Sequence, residues 1–75
     1  MNNWTELEKQ AVVIRQQYPK GTRVELISTT DPYTRLAAGT QGTVSSVDDI
    51  GTIHVNWDNG SSLGMIPGED MIRKI

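Results

Sequence analysis

His54 is the one histidine in the chain, and imidazole is the side chain best suited to proton transfer near neutrality. A Ser-His-Asp arrangement would recruit Ser62 and Asp58. On an extended strand, however, residues 54 and 58 stand about 13 Å apart at ~3.3 Å per residue, so Asp58 cannot orient that ring. Asp48 and Asp49 adjoin, but strand neighbours point to opposite faces and turn residues point to water, so a solvated turn is expected rather than a carboxylate pair. The sequence has neither a calcium-loop pattern nor a second histidine for zinc, and no metal or cofactor is expected. Gly39-Thr40-Gln41-Gly42 superficially matches a phosphate-cradling loop; with no helix after it and no lysine in place, it reads as the start of a strand.

Binding chemistry is better represented than catalytic chemistry. In Asp31-Pro32-Tyr33-Thr34-Arg35, Tyr33 offers a flat aromatic face, Arg35 a fork of donors for carboxylate or phosphate, and Asp31 an acceptor for hydroxyl or amine. An equally concrete structural reading has Asp31-Pro32 starting a turn, Tyr33 covering one end of the fold, and Arg35 pairing with Glu69 or Asp70. His54, Asn56 and Ser62 share one outward face and join the candidate set. Trp57 reads as core, with an indole edge that could line the same end. Arg23 and Glu25 are expected on a solvated strand face.

These residues must be held by a small scaffold. The chain has 75 residues, 36% of them hydrophobic and none of them phenylalanine, which suits one domain with a thin core and places any ligand site at the surface or between subunits. Seven basic residues against nine acidic ones, a net charge of -2 and a pI near 5.1 make a nucleic-acid partner unlike the charge pattern seen here. The absence of cysteine excludes disulfides and thiolate chemistry. No apolar run approaches the roughly 18 residues of a membrane span and no secretion signal opens the chain, so a cytoplasmic protein is expected.

Residues 1–18 predict an amphipathic helix capped by Asn3 with Glu6, stopped at Pro19, and striped by Trp4, Leu7, Ala11, Ile14 and Tyr18, with Val12 and Val13 widening the stripe. That stripe would pack on the chain's own sheet or pair with another subunit, which keeps a homo-oligomer open. Residues 19–75 predict strands near 22–28, 41–47, 52–57, 61–66 and 71–75. A three-residue loop Asp58-Asn59-Gly60, with Gly60 left-handed, pairs Val55 with Leu63 and Ile53 with Met65, whereas a two-residue turn would split the apolar set. A four-residue loop from Asp48 to Gly51 sets Val44 against Val55, and Pro67 to Asp70 form a single 3₁₀ turn. The expected architecture is mainly β within an α+β class: a five-stranded SH3-like antiparallel barrel preceded by one N-terminal helix.

Tyr18-Pro-Lys-Gly-Thr-Arg-Val-Glu-Leu-Ile, Asp31-Pro-Tyr-Thr-Arg-Leu, Gly39-Thr-Gln-Gly-Thr-Val, Val47-Asp-Asp-Ile-Gly-Thr-Ile-His-Val-Asn-Trp-Asp-Asn-Gly-Ser and Leu63-Gly-Met-Ile-Pro-Gly carry a resemblance. The chain resembles a domain-of-unknown-function family of small proteins from phages and mobile elements of Gram-positive bacteria. Through Gly42-x-Val44 and Val55-x-Trp57-Asp58-x-Gly60 it is also similar to the Mib/Herc2-type SH3-like domains of ubiquitin ligases, which implies peptide binding. The expected function is capture without catalysis: of a small anionic or nucleotide-like ligand, as an anti-defence sponge, or of a host protein. A peptide-recognition module is the alternative, followed by a nucleic-acid-binding small barrel.

Overall fold

The computed structural model describes residues 5–31 and 36–75. Helix α1 spans Glu6–Gln17. Its cap is Thr5, whose Oγ1 accepts from the Glu8 amide at 3.2 Å while the Thr5 amide donates to the Glu8 carboxylate at 3.2 Å. This reciprocal box displaces the expected start at Asn3 by two residues, leaving Glu6 as a first-turn acid favoured by the helix dipole. Asn3 and Trp4 lie outside the described residues. The expected stripe holds from Ala11 onward: Ala11 is 1% exposed, and Ile14 and Tyr18 pack against the core. Leu7, at 54% exposed, and Val13 instead face solvent.

Five strands follow: β1 (Arg23–Ser28), β2 (Gln41–Val47), β3 (Ile53–Trp57), β4 (Gly64–Met65) and β5 (Met71–Lys74). They form one antiparallel sheet in the order β4-β3-β2-β1-β5. The sheet does not close, and this corrects the expected barrel. Closure needs staggered ladder bonds between the first and last strands, and β4 offers only two residues. It is shortened from both sides. The Leu63 carbonyl accepts the Trp57 indole N–H at 3.0 Å, and the Ile66 amide donates to Asp70 Oδ2 at 2.8 Å. The turn before β5 uses bonds from the Glu69 and Asp70 amides to the Ile66 carbonyl, at 3.0 and 2.8 Å, and forms no 3₁₀ segment.

The β3–β4 register is the expected one. Ile53 faces Met65, the Trp57 amide donates to Ser61 O at 2.8 Å, and Gly60 has φ 93°. The β2–β3 hairpin differs from expectation. Val44 does face Val55, but Ser46 faces His54 and Val47 faces Ile53, so Ser45 is an inserted bulge. The loop correspondingly shrinks to residues 49–51, with the Asp48 amide bonding Thr52 O at 3.1 Å. The reason is parity. Val44 and Val47 are both buried, yet an odd spacing would put them on opposite faces of a regular strand. With the bulge, both join Val24, Leu26, Ile53, Val55, Trp57 and Met65 in the core.

Helix α1 lies across this hairpin. Arg15 Nε and Nη2 each donate to the Val47 carbonyl at 3.2 Å, and Nη2 also reaches the Asp48 carbonyl at 3.2 Å. Gly51 sits beneath Ile14 and Ala11, where an added Cβ would stand 3.2 Å from the Ile14 side chain.

Gly42 tests the packing of the core. A Cβ there would fall 2.6 Å from Val55 Cγ1 and 2.9 Å from both the Asn56 carbonyl and the Trp57 ring. Gly42→Ala is expected to lower the unfolding free energy by about 1–3 kcal/mol in urea titrations. An unchanged midpoint would mean that β2 and β3 can separate freely.

Candidate functional site

The outward face of β3 holds part of the expected set. His54 is half-exposed and Asn56 and Ser62 are exposed. Trp57 is 3% exposed with its indole N–H already bonded, so it is a core residue and not a contact surface. Asp31 is half-buried, its amide donating to Thr29 Oγ1 at 3.2 Å. Tyr33 and Arg35 lie outside the described residues, and with them the expected pairing of Arg35.

Sequence reasoning missed the partner of His54. Its Nε2 lies 3.0 Å from Asp48 Oδ2. Asp48 Oδ1 accepts the amides of Ile50 at 3.1 Å and Thr52 at 2.9 Å. Partial burial pushes the Asp48 carboxyl up, but the bonds from His54, Thr52 and Ile50 together hold it below the ordinary aspartate value. An ionised carboxylate only accepts, so the facing ring nitrogen carries the proton. The Ser45 bulge makes this contact, because it restores Asp48 to the face that His54 occupies. Among the described residues, no serine or threonine hydroxyl bonds the ring. The pair fastens a hairpin loop.

The described arginines on the sheet and helix are likewise engaged. Arg23 grips Asp58 with two bonds, at 2.9 and 2.6 Å, and also bonds Thr43 Oγ1 at 2.9 Å. This raises Arg23 and lowers Asp58 from their ordinary pKa values, each mainly through their hydrogen bond. Arg73 pairs with Glu25. The face expected to be solvated carries two ion pairs, Arg23–Asp58 and Arg73–Glu25.

Asp70 supports the long β1–β2 connection. Oδ1 accepts the Thr29 hydroxyl at 2.8 Å and the Thr30 amide at 3.1 Å, and Oδ2 accepts the Ile66 amide. One carboxylate therefore ties the start of that connection to the turn before β5. Burial raises its pKa, but the bonds from Ile66, Thr29 and Thr30 outweigh this and lower it overall.

A groove of about 300 Å³ opens beside this clamp, between the C-terminal half of α1 and the two edge strands. Ile14, Tyr18, Ile53, Met65, Met71 and Ile72 give it an apolar lining, with Asp70 at one end. Lys74 Nζ stands 5.0 Å above the Tyr18 ring, close enough for a cation–π contact. The smaller hollow, about 190 Å³ between α1 and the β2–β3 loop, is bordered by Glu8, Arg15 and Asp49. The apolar groove is the better candidate for a site. No single sequence motif announces it, since its walls come from a helix, three strands and a turn.

Among the described residues no group of three or more His, Asp or Glu side chains could hold a metal ion, and no helix is long and apolar enough to cross a membrane. The sequence model described as Domain of unknown function (DUF4314) matches residues 7–75. No curated protein and no solved structure matches the chain.

The Asp70 clamp has a pH signature. Its folded-state pKa lies below the unfolded value, so the stability it contributes is present above the unfolded pKa and is lost as pH falls through the folded one. Asp48 acts in the same direction. Urea midpoints should therefore fall on acidification from pH 6 to about pH 3, the ordinary carboxylate range. Asp70→Asn should flatten that decline, and a wild-type slope in the variant would remove Asp70 from the account.

Proposed function

The chain belongs to the DUF4314 family, and from that footing we propose that it is a binding protein that captures a segment of a partner protein without transforming it. The observation carrying this reading is the apolar groove between α1, β4 and β5. A concave apolar surface rimmed by a few polar groups is the usual form of a recognition site. Met71 is 58% exposed at its mouth, and Ile66 and Ile75 are exposed nearby in the chain. Partners meet such residues first, and burying them supplies the driving force.

The polar groups fit this reading. Asp48 and His54 are spent on closing the hairpin, and Arg15, Arg23 and Arg73 already bond backbone or carboxylate oxygen. An anionic or nucleotide-like ligand at Arg15 or Arg23 would have to displace those oxygens. Five strands with a long first connection and a tight last turn support an SH3-like plan left open along one seam, and the similarity to Mib/Herc2-type domains favours peptide capture. A host-cell cytoplasmic setting and an origin in phages or mobile elements belong to the same proposal.

Panning a random phage-displayed peptide library on the protein should enrich apolar sequences that bind the wild type. Their affinity should fall at least about tenfold on Met71→Asp and hold on Asn56→Ala and Ser62→Ala. Enriched peptides indifferent to Met71→Asp would overturn the groove. So would a library that yields nothing while ADP-ribose or a cyclic dinucleotide raises the melting temperature, which would return the site to the loop face.

A further inference from the structure

The free edge of β5 runs along the groove. β5 has one neighbour in the sheet, β1. In an antiparallel ladder the backbone groups of successive residues point alternately toward and away from the neighbour. The Ile75 amide donates to Arg23 O at 3.1 Å, so Ile75, and by alternation Arg73, address β1. Ile72 and Lys74 then turn their N–H and C=O away from it. The β1 side agrees: Leu26, which faces Ile72, spends its amide on Thr40 O at 2.8 Å and its carbonyl on the Gly39 amide at 2.8 Å, both on the β2 side.

β5 therefore presents two donors and two acceptors about 6.8 Å apart, beside a groove that the Ile72 side chain helps to line. Backbone edges of this kind recruit extended peptides by strand addition. Charge decides which segment. β5 carries Arg73 and Lys74 and no acid, with Arg73 fixed by Glu25 and Lys74 fixed over Tyr18. A second copy paired antiparallel so that Ile72 and Lys74 of each copy bond one another would set Arg73 opposite Arg73, which destabilises the pair. Acidic residues on the outer face of an incoming strand would meet Arg73 instead, of which only Nε is bonded to Glu25.

We propose that the groove accepts an extended partner segment, alternating apolar and acidic residues, that adds to the sheet beside β5 through the backbone of Ile72 and Lys74. This rests on the groove being the binding site. The apolar side chains enter on the face of Ile72, between it and Met65, and the acidic ones lie on the opposite face, toward Arg73. The open seam of the sheet becomes the place where a partner supplies the missing strand.

The test uses the full chain, ¹⁵N-labelled, and three synthetic peptides: acetyl-Glu-Val-Glu-Ile-Glu-Val-amide, its Lys-for-Glu counterpart, and an N-methylated form of the first at alternate residues. The acidic peptide should shift the Ile72 and Lys74 amides and slow their hydrogen exchange. The lysine peptide should bind at least about tenfold more weakly, and the N-methylated one should not bind. Lys74→Pro removes an outward N–H that β1 does not use, and should abolish binding that Lys74→Arg retains. Binding that survives N-methylation yet is lost in Met71→Asp overturns strand addition and leaves the groove reading standing. Binding that ignores Met71→Asp, or no binding of the acidic peptide, overturns the assignment of this segment. Concentration-dependent shifts of the same amides without peptide would make a second copy the occupant, and would overturn it as well.

Discussion

A sheet with one buried face must keep its apolar residues in phase, and in this protein β2 can do so only by breaking its own regularity. Val44 and Val47 are both needed inside, and the Ser45 bulge is what allows it. The same inserted residue carries Asp48 to the outer face, where it meets His54 and accepts the loop amides. The loop then offers the Val47 and Asp48 carbonyls to Arg15. Core packing, hairpin closure and helix docking are therefore successive results of one parity constraint. A second irregularity, between Leu26 and Ser28 on the β1–β5 ladder, lies close to where Ile27 and Met71 turn outward.

The unclosed seam follows from competition for backbone groups. Two side chains, the Trp57 indole and the Asp70 carboxylate, take the carbonyl and amide on either side of β4. What they remove from the ladder they return as anchoring. Trp57 is held in the core, and the turn before β5 is tied to Thr29 and Thr30 at the start of the long connection. The sheet stays open between β4 and β5, with the helix along one side of the gap. Among the described residues, Ile14, Tyr18, Ile53, Met65, Met71 and Ile72 line the gap as an apolar groove.

Much of this was legible in the residues. Gly60 and the alternation of Ile53, Val55 and Trp57 fixed the β3–β4 register, because only one loop length keeps Leu63 and Met65 on the apolar side. The helix and its stop at Pro19 were equally plain, although Asn3–Glu6 and Thr5–Glu8 both fit a capping box and local pattern could not rank them. The bulge was hidden because a four-residue loop also aligns Val44 with Val55; the odd step to Val47 was its only signal. The Asp48–His54 contact depends on that bulge and was lost with it. The groove could not be read at all, since Ile14, Met65 and Ile72 become neighbours only through tertiary folding. For Tyr33 and Arg35 the sequence reading stands as an expectation, outside the described residues.

Arg15 holds the helix by bonding main-chain oxygens, with Asp49 as a more distant partner at 3.5 Å. Every amino acid supplies a carbonyl, so this attachment does not care which side chains stand at 47 and 48, provided that the hairpin keeps its path. Sequence drift in the surface loop is thereby separated from the seating of the helix. The tolerance is one-sided, for the guanidinium has no such substitute, and lysine's single ammonium could not span the same fork of acceptors.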